Sequence, residues 1–571
     1  MTRGRARVRS LLPSRADLAM MARDPRRDLL AGLTVAIVAL PLALGFGVSS
    51  GLGAEAGLAT AVVAGTLAAL FGGSNLQVSG PTGAMTVVLV PIVARYGTGG
   101  VLMVGLLAGV MLLALAVMRA GRYMAYVPAS VVEGFTLGIA LVIGLQQVPN
   151  ALGVEAEGEK VLTVTWHALE AFAAAPDWTA GALAAGVAAV MLLGGRRWPT
   201  VPFSIIAVIA ATVIVQVFRL DRATPIGDLP PGLPAPSFGF VDPSALGSLL
   251  APAVAVAALA ALESLLSARV ADGMTVGQKH DPDRELLGQG LANIAAPLFG
   301  GVPATGAIAR TAVNVRSGAS SRLAALTHAA VLAVIVFAAA PLVSRIPLAA
   351  LAGVLIATAV RMVEVISLRA TARATRADAV VLALTAIATL MLDLVYAVVI
   401  GLAAAGALAL RAVARQARLD QVDFRHDLPG GHSAEEHALL AEYIVVYRID
   451  GPLFFAAAHR FLLELSEISD VRVVILRMSR VTTMDATGAL VLKDAVEKLA
   501  GRGIAVVASG IRPGQHQVLD SVGALGLLHG DGHVHATTPD AIAAARTHLE
   551  RAGLLPATPL PRPRPAGKAT R

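Results

Sequence analysis

The feature that most limits what this chain can become is a series of apolar stretches running from Leu29 to Leu410. Many are about 18–22 residues long, enough to cross a hydrocarbon layer of roughly 30 Å as one helix. One such run can be a signal peptide or a buried core helix; a dozen in series cannot. The first run opens inside Asp28-Leu29-Leu30-Ala31-Gly32 and lacks a small-x-small cleavage site followed by a polar mature chain, so it does not read as a leader. With 56% hydrophobic residues, 15% charged residues and a mean hydropathy of +0.72, the 571 residues carry too little charge to coat a soluble surface. The expectation is a polytopic α-helical membrane protein.

The net charge of +8 would suit nucleic acid, but its placement argues against that. Arg3, Arg5, Arg7, Arg9, Arg15, Arg23, Arg26 and Arg27 crowd the segment ahead of the first span, which marks a cytoplasmic arm lying against anionic lipid. The absence of cysteine excludes disulfides and thiolate metal sites. The chain divides into a basic arm (1–27), a membrane domain (28–410), a polar connector (411–441), a soluble domain (442–550) and a Pro/Arg tail (551–571) expected to be disordered. The connector holds Arg411, Arg415, Arg418, Asp420, Asp423, Arg425 and the turn Pro429-Gly430-Gly431. In the soluble domain Tyr443–Ile449, Val471–Leu476 and Ile504–Ala508 are short and β-branched, as strands are. Helical patterns around Ala457–Ser466, Ala486–Gly501 and Pro539–Leu549 separate or follow them, which predicts one small α/β sheet.

The membrane domain repeats itself. Leu70-Phe71-Gly72-Gly73 followed by Pro81-Thr82-Gly83-Ala84 returns as Leu298-Phe299-Gly300-Gly301 followed by Ala304-Thr305-Gly306-Ala307. About seven hydrophobic segments fall in each copy, and an odd number forces the second copy into the bilayer upside down. Both tetrads sit where a span looks interrupted: Ser79–Gly83 precedes a short apolar run, and Gly300–Gly306 precedes one broken by Arg310, Asn314 and Arg316. Backbone leaves the helix at membrane depth only where protein or a water-filled cavity satisfies it. A half-helix starting there aims free N–H groups and a positive dipole end into that cavity. Two such ends from opposite repeats make an anion site without any charged side chain.

Glu263 lies deep in the apolar run Ala257–Ser267. A carboxylate near the bilayer centre costs at least about 2.5 kcal/mol, so such residues face interior cavities and do ion or proton work, or pair with an Arg of another span. Ser264 and Ser267 share its helix as interhelical contacts or ligands. Arg310, about one turn after Gly306, is placed either to attract an anion or to partner Glu263. Thr82 and Thr305 offer hydroxyls to a ligand or to a helix cap. Arg316 and Arg322 read as interfacial anchors, and Asp393 as a cap between two runs. There is no phosphate loop and no metal-ligand spacing, and His280, His328 and His459 stand apart, so neither ATP-driven pumping, metal, cofactor nor enzyme chemistry is expected.

The chain resembles the sulfate permease (SulP) family of anion transporters over essentially its whole length. The residues that carry the likeness are Gly32–Ala36 through Ala39–Ala43, Pro81-Thr82-Gly83 and Glu133-Gly134-Phe135-Thr136 in the first half. The second half adds Gly288-Gln289-Gly290-Leu291-Ala292-Asn293-Ile294, Phe299-Gly300-Gly301, Arg310–Asn314 and Ser317-Gly318-Ala319. The C-terminal domain resembles a STAS domain, with Met484-Asp485-Ala486-Thr487-Gly488 at its signature loop. The resemblance implies fourteen segments as seven-plus-seven inverted repeats, with core and gate domains, usually dimeric. It also implies a pocket between the third and tenth segments. By position, Thr82, Gly83, Ala84, Thr305, Gly306, Ala307 and Arg310 would hold the anion, and Glu263 with Ser267 would carry the coupling ion. Asp485 and Thr487 would form a regulatory STAS loop open to a cytosolic partner; Thr487 occupies the position phosphorylated in bacterial anti-sigma-factor antagonists, or else caps the following helix.

Two departures bear on substrate. Leu40-Pro41-Leu42-Ala43-Leu44-Gly45-Phe46-Gly47 resembles the bicarbonate-transporting branch and lacks the Pro-Gln pair common among sulfate carriers. Glu263 stands where sodium-coupled bicarbonate carriers have Asp, which favours H+ over Na+. The expected function is proton-coupled symport of a small oxyanion, sulfate or bicarbonate, in a bacterial inner membrane, with the N-terminus and STAS domain cytoplasmic. Competing readings are a sodium-coupled bicarbonate symporter, a STAS-linked anion sensor, a channel and a nucleobase carrier.

Overall fold

The computed structural model describes residues 13–158, 160–198, 201–220, 222–392, 394–422, 442–455, 471–529 and 533–555. Arg3, Arg5, Arg7, Arg9, Asp393, Asp423, Arg425, the 429–431 turn, the 457–466 pattern with His459 and the tail from Pro556 lie outside the described residues. The chain forms two compact units, Met1–Ala405 and Gly406–Arg571.

In the first unit a short helix α1 (Arg15–Met21) precedes α2 (Pro25–Ser49), which Asp24 caps with Pro25 at the first helical position. There follow α3 (Ala54–Phe71), the two-residue strand β1 (Ser79–Gly80), α4 (Gly83–Val117), α5 (Ala129–Gln146), α6 (Val148–Leu152), α7 (Val161–Ala174), α8 (Trp178–Arg197) and α9 (Phe203–Val217). The second half runs α10 (Leu246–Met274), α11 (Pro282–Leu298), β2 (Thr305–Gly306), α12 (Ile308–Arg316), α13 (Leu323–Val343), α14 (Leu348–Met362), α15 (Val365–Ala374), α16 (Arg376–Met391) and α17 (Leu394–Ala414). The unit boundary falls inside α17.

Among the described residues nine helical segments are each long and apolar enough to cross a bilayer. The remaining segments are shorter or joined. In α4, Gly97 takes φ 69° and ψ −174°, a conformation open to glycine, and splits one long apolar run into two segments. Counted that way, α2, α3, β1 with the start of α4, the rest of α4, α5, α8 and α9 answer α10, α11, β2 with α12, α13, α14, α16 and α17. Packing follows the same exchange. α2 against α13 is answered by α10 against α4, α3 against α13 by α11 against α4, and α5 against α16 by α14 against α8. The equivalent strands β1 and β2 pair antiparallel, Ser79 opposite Gly306 and Gly80 opposite Thr305, as a twofold axis between inverted halves requires. Helices α2–α4 and α10–α13 form a core, and α5–α9 with α14–α17 a gate.

Two expectations are corrected in this unit. Arg322 is not an interfacial anchor: it is 3% exposed, donates to the Ala69 and Leu70 carbonyls, and pairs with Asp17 at 3.5 Å. Asp17 also bonds Arg284 at 2.9 Å, so α1 docks on the core through a buried carboxylate between two arginines. His280 is not isolated either, since its Nδ1 lies 2.7 Å from the Asp272 carboxylate.

The second unit is a six-stranded sheet in the order β3 (Arg418–Val422), β4 (Ile444–Leu453), β5 (Val473–Arg477), β7 (Ala505–Ser509), β8 (Val534–His535), with β6 (Val481–Met484) also beside β4. Among the described strands only β3 is antiparallel to its neighbour. The strand period of two sends Val474 and Leu476 to one face, against α18 (Ala486–Gly501), α19 (Pro513–Ser521) and α20 (Ala524–His529). Val473 and Ile475 face the other side, against α21 (Thr538–Arg551). β3 lies in the segment the sequence assigns to a connector. It is an edge strand, so its Arg418-Leu419-Asp420-Gln421-Val422 stays polar enough to pass for linker.

Candidate functional site

The site is built where the two halves break. β1 leads through Pro81 and Thr82 into α4, and β2 leads through Ala307 into α12. Because the strands are antiparallel, the two helices start at the same ladder and run apart from it. Their first amides, Gly83 and Ala84 on one side and Ile308, Ala309 and Arg310 on the other, have no intrahelical acceptor. Gly80, at φ 151°, lies so close to Arg310 that a Cβ would meet the guanidinium at 2.7 Å.

Three side chains meet over the ladder. Thr82 Oγ1 donates to Glu263 Oε2 at 2.9 Å and Thr305 Oγ1 to the same oxygen at 2.7 Å, while the two hydroxyls are 3.1 Å apart. Thr82 is also the N-cap of α4, accepting from Met85 N. Thr305 is no cap, because α12 starts only at Ile308 with Ala307 as its N-cap. Glu263 makes no ion pair among the described residues; its partners are hydroxyls.

The other candidates fall around this triangle. Arg310 is 1% exposed; its Nη2 donates to Pro81 O at 2.7 Å and its Nη1 has no hydrogen-bond partner among the described residues. Ser264 accepts from Gly306 N at 2.9 Å. Ser267, one turn along the helix from Glu263, sits 2.9 Å from Thr311, whose hydroxyl accepts from Val78 N at 3.1 Å. The amides of Gly306 and Ala307 are thus already engaged, Gly306 by Ser264 and Ala307 by Val78 O at 2.9 Å. Ile308 and Ala309 take the place the sequence assigned to them. Only the helix start, three residues after Thr305, makes that visible.

The gate closes over the site. A Cβ on Gly83 would overlap Ile143 of α5 and touch Phe46 of α2, and one on Gly45 would meet Leu355 of α14. A small pocket lies elsewhere, lined by Glu55, Leu58, Leu229, Leu233, Ile335 and Val343; it contains none of the site residues. In the STAS-like domain Asp485 caps α18, its carboxylate accepting from Gly488 N at 2.7 Å and Phe455 N at 3.2 Å. The cap is therefore Asp485 and not Thr487, which is exposed in the first turn.

Inverted repeats, a core and gate, and two broken helices meeting at a half-buried carboxylate form the architecture of a membrane transporter. Residues 26–385 match the model of the Sulfate permease family and residues 438–541 that of the STAS domain, so the chain belongs to the sulfate permease family of anion transporters. It is 35% identical over 524 residues to the putative sulfate transporter YvdB of Bacillus subtilis, covering 89% of this chain and 95% of that one. It is 31% identical over 499 residues to the bicarbonate transporter BicA of Picosynechococcus, covering 83% and 87%. The fold matches the murine Solute Carrier 26 family member A9 anion transporter with a TM-score of 0.78 at 18% identity, over 95% of each chain.

Proposed function

We propose that this chain is a secondary active transporter that accumulates sulfate or bicarbonate by proton-coupled symport through alternating access. The supporting observation is that hydroxyls from opposite repeats converge on one carboxylate oxygen at the start of two half-helices. Relatives named for sulfate and for bicarbonate bracket the substrate class. The anion accepts from the open amides of Gly83, Ala84, Ile308 and Ala309, with the two helix dipoles and the Arg310 charge beside it. Thr82, Thr305, Gly306 and Ala307 shape the site; Gly306 and Ala307 do so as ladder backbone.

A count of hydrogens supports proton coupling. The triangle of Thr82, Thr305 and Glu263 has three oxygen–oxygen contacts of 2.7–3.1 Å, and two hydroxyls supply two protons. A protonated carboxyl supplies the third by donating to one threonine, whose hydroxyl then turns to donate to the other, and it removes a negative charge next to the anion. Deprotonation on the far side restores that charge and expels the anion. Between the two states the core slides against gate helices α5 and α14, opening the seam of Phe46, Ile143 and Leu355.

We further propose a homodimer in the bacterial plasma membrane with its arginine-bearing end cytoplasmic. That end carries Arg23 before α2 with Arg26 and Arg27 in its first turn, Arg119 and Arg122 after α4, and Arg196 and Arg197 closing α8. The STAS domain would be cytoplasmic too, with Asp485 and Thr487 facing any regulator. Purified full-length protein in liposomes tests the transport reading. An imposed proton gradient should drive accumulation of labelled sulfate or bicarbonate, and a sodium gradient should not. Anion binding without flux would make the chain a sensor; flux indifferent to every gradient would make it a channel.

A further inference from the structure

Helix α11 carries three polar residues four apart, Glu285, Gln289 and Asn293, which one helix face brings into line. They are 1%, 0% and 0% exposed, in a helix whose other buried residues, Arg284 apart, are Gly, Ala, Leu and Pro. Each grips backbone or side chain of a broken segment. Glu285 Oε2 accepts from Gly73 N at 2.9 Å and Ser74 N at 3.1 Å, and its Oε1 accepts from Gln289 Nε2 at 3.0 Å. The Gln289 amide also donates to Ser79 Oγ at 2.6 Å. Asn293 clasps Ala304 from both sides, accepting from its N at 2.8 Å and donating to its O at 2.9 Å.

One stripe thus holds both halves of the site from behind. Two of its residues fix the chain entering β1, and the third fixes the residue before Thr305. None of the three hydrogen-bonds Glu263, Thr82 or Thr305. We infer that the Glu285–Gln289–Asn293 stripe is the positioning element that sets the spacing of the β1/β2 ladder, and with it the aperture in which the anion is held. The inference rests on the proposal that the ladder is the anion site. Its physical basis is tolerance: hydrogen bonds of 2.7–3.1 Å fail with displacements of about half an ångström, so Thr82 and Thr305 share one oxygen only if both strands are anchored to a common frame. Glu285 is held by three donors, Gly73 N, Ser74 N and Gln289 Nε2.

The test separates positioning from proton carriage. In Glu285→Gln the side-chain carbonyl still accepts from Gly73 and Ser74, and the Gln289 amide reverses to accept the new NH2 and the Ser79 hydroxyl. Half-saturation for labelled sulfate and bicarbonate uptake should stay within about twofold of wild type, with an unchanged pH profile. Glu285→Ala and Asn293→Ala should each raise half-saturation about tenfold. If either alanine variant fails to fold, Ser79→Ala removes one hydroxyl, uncovers no charge and should still raise it about threefold. A second readout needs no transport. The chain has no cysteine, so Val78→Cys with Ala307→Cys places two thiols one position beyond the ladder in the same register, where Ala307 N donates to Val78 O at 2.9 Å. Oxidative cross-linking of that pair in membranes should slow at least about fivefold when Glu285→Ala is added. Unchanged cross-linking and half-saturation in the alanine variants would overturn the inference, as would a pH profile flattened by Glu285→Gln. A wild-type chain that moves neither anion would defeat the transport proposal, and the cross-linking would still decide the stripe.

Discussion

Replacing Glu263 by Gln keeps the shape of the triangle and removes its ability to change charge. The amide oxygen can accept from Thr82 and Thr305 as Oε2 does, at 2.9 and 2.7 Å. Exchanging two bonds to a charged acceptor for two neutral ones weakens them by about 1 kcal/mol each, which a packed core absorbs. The consequence for the anion is larger. An oxyanion held by the amides beside those threonines sits roughly 5–6 Å from the carboxylate, one hydrogen bond beyond each hydroxyl. Two like charges at about 5.5 Å in an effective dielectric of about 20 repel by about 3 kcal/mol. That is a coupling on the order of 100-fold, and linkage makes it reciprocal: the proton raises anion affinity as much as the anion raises proton affinity.

The assay is uptake by full-length protein in liposomes with the membrane potential clamped. In the wild type, half-saturation for the transported anion should worsen as external pH rises, by up to about 100-fold. A gradient of about two pH units, worth about 2.8 kcal/mol per proton, should support accumulation on the order of 100-fold for one-proton electroneutral symport. Glu263→Gln should hold half-saturation flat and near the acidic wild-type value. Net accumulation should vanish while anion-for-anion exchange persists. A Gln variant with the wild-type pH dependence would show that the coupling proton resides elsewhere, and the donor count drawn from the triangle would then be mistaken.

Arg310→Ala should raise half-saturation about tenfold, and Arg310→Lys should restore little of it, because Nη2 also fixes Pro81 O and a lysine cannot do both jobs; uptake titrations decide it. In the STAS domain, Asp485→Ala should lower stability by about 1–2 kcal/mol through loss of the α18 cap, whereas exposed Thr487→Ala should stay within about 0.5 kcal/mol, both read by denaturant melts of the full-length protein in detergent. Burial pushes the Asp17 carboxyl up, but hydrogen bonds from Arg284 and Ser14 and the charge of Arg322 outweigh it and bring it from 3.8 to about 2. Its contribution to docking α1 is therefore fully present above pH 3.8 and lost as pH falls toward about 2. Trypsin cleavage at Arg23 should be flat through the neutral range after correction for trypsin's own profile, and Asp17→Asn should accelerate it about tenfold.

What the sequence made legible was whatever is local. The interruptions at Pro81-Thr82-Gly83 and Pro303–Gly306, the paired tetrads and the lone carboxylate at 263 are each contained in a few consecutive residues, and their physical meaning follows from lipid alone. What stayed hidden was pairing at long range. Thr82 and Thr305 are 223 residues apart, and nothing in either segment says that they share one oxygen of a third. Which amides remain open depended on where α12 starts. A helix beginning at Ile308 rather than Thr305 shifts the donors from the Gly306–Ala307 pair to Ile308 and Ala309. Arg322 was misplaced for the same reason, since a span-flanking arginine looks like an interfacial anchor until Asp17, 305 positions earlier, is seen beside it.

The α11 stripe falls between these cases and shows why an inverted repeat needs something outside its own symmetry. Glu285, Gln289 and Asn293 recur at a helical period in plain view, but in a Gly/Ala-rich span that period marks a face without saying what the face touches. The twofold arrangement equates β1 with β2 and α4 with α12, so the two half-sites could drift apart while each kept its own local geometry. A single helix bonded to both removes that freedom. It also breaks the symmetry, because its counterpart α3 presents Thr60 to the Val302 carbonyl at 3.0 Å and carries no buried carboxylate. A carrier of this design can therefore place Glu263 on one side of the axis and still deliver both threonines to it.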